Sequence, residues 1–146
     1  MKLKQIMLVQ STWELVHPNS ETAAQLFYNK LFELDPSLRG LFRSDIAEQG
    51  QRFIQMIGIA VRGLDQASVL LPILRTLGRR HAVYGVQTRH YDIVGEAMMW
   101  MLKSGLSERF TPEVEAAWSA AYQLVARTML SASEDVHSEQ PVHVVA

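Results

Sequence analysis

The chain has 146 residues, with 14 Lys+Arg against 15 Asp+Glu for a formal net charge of −1. That length suits one domain, and the even charge balance gives no electrostatic reason to expect nucleic acid or an anionic membrane as partner. Cysteine is absent, which excludes disulfides, thiolate metal sites, Cys-ligated iron–sulfur clusters and thiol nucleophiles, and leaves five histidines, the carboxylates and the tyrosines as chemical stock.

The start, Met1-Lys2-Leu3-Lys4, is basic, but the apolar run after it, Ile6 to Val9, falls short of the ~7–15 residues of a signal peptide. No stretch approaches the ~20 apolar residues of a membrane span, so a soluble, cytoplasmic protein is expected. Leu3, Ile6, Trp13 and Val16 share one face of a first helix that His17-Pro18-Asn19 should end. Asn19 or Ser20 can cap a second helix, with Ala24, Phe27, Leu31 and Leu34 on its apolar face. Asp35-Pro36 reads as the cap and first-turn proline of a short third helix holding Leu38, Leu41 and Phe42. After Ser44-Asp45, the stripe Ile46, Phe53, Ile57, Val61 and Leu64 predicts a long helix. Gly50 and Gly58 lie on it, and a close helix crossing is their expected compensation.

In the second half Leu70, Leu74, Leu77 and His81 fall on one face, with Pro72 expected at the helix start and Gly85 past its end. Thr88 can cap the next helix, whose face is Tyr91, Val94, Met98 and Leu102, stopping near Gly105. Thr111-Pro112-Glu113 combines an N-cap, a first-turn proline and a carboxylate at the positive end of the dipole. The last helix buries Val114, Trp118, Ala121, Val125 and Met129, and nothing alternates with period two long enough to predict a strand. The expected architecture is all-α, with about seven to eight helices in a domain over residues 1–130. Residues 131–146 are expected to hold the end of the last helix and a flexible tail.

Four histidines have ordinary explanations. His17 sits at a helix end, His90 in an exposed first turn, and His137 and His143 in the tail. His81 continues an apolar face, flanked by Arg79 and Arg80. Such a histidine is either a core residue satisfied by a backbone carbonyl or a metal ligand whose second ring nitrogen has an acceptor. No second His, Glu or Asp shares its face one turn away, too few for a protein-only metal site, whereas one axial imidazole suffices where a porphyrin supplies the other donors.

Several motifs occur in order along the chain. They are Phe27-Tyr28, Asp35-Pro36-x-Leu38-Arg39-x-Leu41-Phe42, Arg80-His81-x-x-x-Gly85-Val86, His90-Tyr91-x-Ile93-Val94-Gly95 and Ala117-Trp118-x-x-Ala121-Tyr122. From about Leu3 to Met129 the chain resembles the bacterial globins, specifically the single-domain bacterial haemoglobins related to the globin half of flavohaemoglobins. The resemblance implies a globin fold around a haem b pocket, with His81 as the proximal iron ligand. It makes Phe42 the haem-packing phenylalanine and Tyr28 the distal hydrogen-bond donor to a bound gas. Gln49 falls at the distal His/Gln position by counting back from His81, with Phe53 one turn on. A solvated surface glutamine is the alternative for Gln49, and a helix tyrosine with a wet hydroxyl is the alternative for Tyr28.

Proximally, Tyr91 matches a tyrosine that in flavohaemoglobins joins a glutamate of the last helix to support the histidine. Here Ser133 stands at the expected glutamate position, with Glu134 one residue later and about 100° round the helix. Arg80 is expected at a haem propionate or as an exposed helix arginine. Leu77, Val86, Val94 and Met98, with Val125 and Met129, are expected pocket wall or plain core.

The resemblance implies reversible binding of O₂, with CO and NO as further gas ligands, for oxygen binding and delivery. The alternative is a nitric-oxide dioxygenase. Flavin and NAD(P)H domains are not expected within 146 residues, so on that reading a separate reductase partner is expected. A monomer or homodimer is expected, with neither nucleic acid nor membrane as partner.

Overall fold

The structure is a computed structural model that describes residues 1–42 and 45–145, with side chains through Val136. The side chains of His137 and His143, and Ser44 altogether, lie outside the described residues.

Among the described residues six α-helices and three 3₁₀ turns occur and no strand. The α-helices are α1 (Leu3–Val16), α2 (Ser20–Leu34), α3 (Ile46–Arg62), α4 (Ala67–Val83), α5 (Thr88–Leu106) and α6 (Pro112–Val145). The short third helix of the sequence reading is a 3₁₀ segment, Pro36–Leu41. Six residues hold little more than one α-turn, and the Asp35 side chain accepts from the Ser37 amide at 3.0 Å, which favours the tighter winding. Thr111 caps α6 as expected, its hydroxyl accepting from the Val114 amide at 3.2 Å.

Two helix starts differ from expectation. α4 begins at Ala67, so Pro72 lies inside it; the ring removes one backbone donor, and Thr76 donates its hydroxyl to the Pro72 carbonyl at 3.1 Å. α5 is capped at Gln87 rather than Thr88, because the Gln87 amide donates to His90 Nδ1 at 2.9 Å. That bond folds His90 inward, so the histidine expected to be exposed is buried.

α4 packs on α6, α2 on α5, α1 on α6, and α3 on α2 and α1. The tightest crossing is at Gly78, where a Cβ would run into the Met129 backbone of α6. Gly50 performs the expected role on α3, since a Cβ there would meet the Ala24 methyl of α2 at 3.0 Å. Gly58 does not: its added Cβ would meet only the guanidinium end of Arg62, on its own helix. Gly85, at φ +96°, supplies the left-handed residue that turns the chain after α4. The core is Trp13, Phe27, Leu31, Leu70, Leu74, Met101 and Leu102 with their neighbours, while Leu3 and Leu34, expected on buried faces, are exposed.

Candidate functional site

The candidate site has two walls, one that includes α3 and one built on α4. The first is aromatic. Tyr28 lies on the buried face of α2 beside Phe27, and one turn on is Phe32, its ring 5.9 Å from that of Tyr28. Phe42, at the end of the 3₁₀ segment, meets Tyr28 edge-on at 5.3 Å and Phe32 at 5.6 Å. From α3, Phe53 stacks on Phe27 at 4.0 Å and lies 6.1 Å from Tyr28. Tyr28, Phe42 and Phe53, singled out separately in the sequence, are therefore brought together. Phe32 was not singled out, although its i+4 spacing from Tyr28 is the signal that would have found it. Gln49, half-buried on α3, precedes Gly50, whose missing Cβ leaves the Tyr28 ring 3.7 Å from that position.

The Tyr28 side chain is buried, and its hydroxyl makes no hydrogen bond among the described residues. Burial pushes its pKa up to about 12, so the phenol keeps its proton and remains a donor.

The second wall is α4 with the start of α5. His81 is half-buried, and its Nδ1 lies 2.8 Å from the Leu77 carbonyl one turn back. A carbonyl only accepts, so Nδ1 carries the proton and Nε2 presents its lone pair. Burial pulls the His81 pKa down, more than the Leu77 bond raises it, which favours the neutral ring. The carbonyl bond suits both readings of this histidine. Nε2 makes no hydrogen bond to a protein group among the described residues, and because it is not among the buried unsatisfied atoms it is open either to water or to a ligand. Past His81, the Val86 amide donates to the His81 carbonyl at 2.9 Å and holds the corner beneath the ring.

Tyr91 and Tyr122 complete this wall. Tyr122 donates its hydroxyl to the Tyr91 backbone carbonyl, while the Tyr91 hydroxyl is buried with no hydrogen-bond partner among the described residues. Tyr91 is therefore not bonded to Glu134. Ser133, at the position where a glutamate was looked for, is buried and donates to the Leu130 carbonyl at 2.7 Å. Burial raises the pKa of Tyr91, and that of Tyr122 further.

An open cavity of about 390 Å³ lies between α3 and α4, lined by Met56 of α3 and by Pro72, Ile73, Thr76, Leu77 and Arg80 of α4; it takes in Leu77 and Arg80 of the predicted site residues, but not Tyr28, Phe42, Phe53 or His81. Exposed Arg80 stands at its mouth. Phe42, Phe53, Leu77, Val86 and Val94 are only partly covered against the closed core, while Met98 and Met129 are buried in it. Among the described residues no three His, Asp or Glu side chains gather, which leaves His81 as a single imidazole donor. No helix of the described residues is long and apolar enough to cross a membrane.

The family model described as Globin matches residues 25–129. The Flavohemoprotein of Bacillus subtilis (strain 168) is 26% identical over 139 residues, which span 93% of this chain and 35% of that protein. The chain thus corresponds to about a third of that relative's length. The Neuroglobin of Danio rerio is 30% identical over 136 residues, covering 84% of this chain and 86% of its own. Among solved structures, the engineered carbene transferase RmaNOD from Rhodothermus marinus superposes with a TM-score of 0.87 at 24% identity, over 97% of this chain and 99% of its own. A bacterial globin from Campylobacter jejuni gives 0.81 at 19%, over 94% and 99%. At these identities the two structures speak for the fold alone.

Proposed function

The chain belongs to the globin family, whose general business is binding haem and diatomic gases, and on that premise we propose that it holds haem b through His81 and binds O₂ reversibly, with CO and NO as competing ligands. The observation that carries this reading is the His81 ring, tied at Nδ1 to the Leu77 carbonyl and with no protein partner for Nε2 among the described residues. The partly covered apolar side chains Phe42, Phe53, Leu77, Val86 and Val94 fit a flat apolar group, which would complete their burial. Bound there, the haem supplies an iron with a position open to a diatomic gas.

The residues then divide the work. His81 donates its Nε2 lone pair, and the Leu77 carbonyl keeps the ring in the one tautomer able to do so. Tyr28 offers its hydroxyl proton toward a polarised gas, with Gln49 as a second donor on the adjoining helix. Such a bond favours O₂, on which charge develops, over the less polarised CO by about 1.5–3 kcal/mol. Phe42 and Phe53 limit the room beside it and exclude water. Arg80, at the cavity mouth, presents a guanidinium to a haem propionate. Leu77, Val86, Tyr91, Val94 and Met98 form the apolar support on the histidine side.

The second reading is nitric-oxide dioxygenase activity, in which O₂ and NO join to give nitrate with the uptake of one electron from a separate reductase. The flavohemoprotein relatives support it, and the same Tyr28 and Gln49 serve it. We place either activity in the cytoplasm, in a monomer or homodimer. Spectra of the haem-reconstituted protein, oxidised, reduced and under CO, test the haem reading: a Soret band that shifts with CO is expected, and its absence overturns it. NO consumption with and without an added reductase separates the two activities.

A further inference from the structure

α4 carries Arg75, Arg79 and Arg80, all exposed, and no acidic residue along its length. Without these three of its 14 basic residues, the rest of the chain is plainly acidic, against 15 Asp+Glu. A nearly neutral molecule therefore gathers positive charge on one helix. The ion pairs Lys30–Glu33, Arg52–Glu48 and Arg89–Asp35 involve none of these arginines. Arg75 and Arg79 lie one helical turn apart, a like-charge arrangement that weakens a helix. The helix dipole accounts for a cation in the last turn, as at Arg80, but not for Arg75 two turns before the helix end.

Apolar side chains are interleaved with the charges. Val69, Ile73, Val83 and Tyr84 are exposed on the same helix and at its end, Tyr84 at 75%. Arginine and tyrosine among exposed aliphatics is the composition of a protein-docking surface. The patch also borders the site, since Ile73 and Arg80 line the cavity between α3 and α4.

We propose that the exposed face of α4 docks an acidic electron-transfer protein, with Arg75 and Arg79 steering its approach to the cavity mouth. The inference rests on the reading of this site as a haem pocket served by a separate electron donor. Charge complementarity selects the occupant: an acidic protein surface is attracted to this helix while the acidic remainder of the chain repels it from other approaches.

The test titrates the haem-loaded protein with flavodoxin as the acidic flavoprotein probe, at low and physiological ionic strength. It compares the wild type, the double variant Arg75→Glu/Arg79→Glu, and a control with the same charge change outside α4, Lys4→Glu/Lys103→Glu. The expected result is binding that weakens with salt, falls about tenfold or more in the α4 variant, and changes far less in the control. If the charge reversal disturbs folding, Arg75→Gln/Arg79→Gln is the substitute and should show a smaller loss in the same direction. Equal losses in variant and control, or no salt dependence, would overturn the proposal. So would wild-type binding to phosphatidylglycerol vesicles without binding to the flavoprotein. Soret and CO spectra of the same samples separate the two levels of inference. Normal spectra without docking remove this proposal alone, whereas a missing Soret band removes the haem reading beneath it.

Discussion

The two walls of the site are built from different materials. The wall of α2, the 3₁₀ segment and α3 is stacked aromatic rings, Phe27, Tyr28, Phe32, Phe42 and Phe53, with a phenol hydroxyl left unbonded in their midst. The wall of α4 to α6 is held by backbone: Gly78 lets α4 lie against Met129, His81 is tied to the Leu77 carbonyl, and Tyr122 to the Tyr91 carbonyl. In the second wall the Tyr122 and Ser133 hydroxyls and His81 Nδ1 are spent on structure, the buried Tyr91 hydroxyl excepted, while in the first the Tyr28 hydroxyl makes no hydrogen bond among the described residues. On the proposed reading, ligand choice belongs to the aromatic wall and fixed geometry to the other.

That contrast can be broken or sharpened by substitution. The largest effect is expected at Gly78→Ala, where a methyl has only Met129 backbone to push against. A destabilisation of about 3 kcal/mol is expected, read as a fall in the denaturant midpoint. Tyr28→Phe should leave stability nearly unchanged and accelerate O₂ release about tenfold or more in flash photolysis, since one charge-assisted donor is lost. An unaltered off-rate would take ligand choice away from the aromatic wall. Gly58→Ala should act in the opposite direction to Gly78→Ala. Only the mobile Arg62 terminus has to move, and a helix-interior glycine is removed, so a gain of up to ~1 kcal/mol in the thermal or denaturant transition is expected.

A smaller effect concerns pH. His90 accepts the Gln87 amide through an unprotonated Nδ1, and burial, then the nearby Arg89 charge, pull its pKa below 6.5. A depressed histidine binds fewer protons folded than unfolded, so its contribution is complete above pH 6.5 and is lost as pH falls toward the folded value. Stability of the wild type should decline over that window, and His90→Gln should flatten the decline. The smallest effect is Arg89→Ala, which removes the 2.9 Å pair between exposed Arg89 and Asp35 and should lower the denaturant midpoint only slightly, less than either glycine substitution changes it.

Much of the fold was legible because helical periodicity and end signals report burial directly. The stripe Phe53, Ile57, Val61 and the Thr111-Pro112-Glu113 start are examples. The errors arose where a local rule competes with tertiary contact. Pro72 marks a helix start by local rule, yet packing of Leu70 and Leu74 carries α4 back to Ala67. His90 reads as exposed until the capping bond turns it inward. Gly78 is an ordinary helix glycine in the sequence, because the Met129 backbone it accommodates lies 51 residues away. In the site, Tyr28, Phe42 and Phe53 were legible one by one. Their mutual contact and the empty partner list of the Tyr91 hydroxyl depend on how α2, α3 and α5 pack, which spacing along one helix does not report.

The most direct test of the central claim is a single histidine. His81→Gly should be purified, supplied with haem, and its spectrum followed with and without added imidazole, beside the wild type. Loss of stable iron ligation in the variant, restored by imidazole in the vacated space, is the predicted result. A variant whose Soret band and CO-bound spectrum match the wild type without imidazole would contradict it and send the search to another ligand.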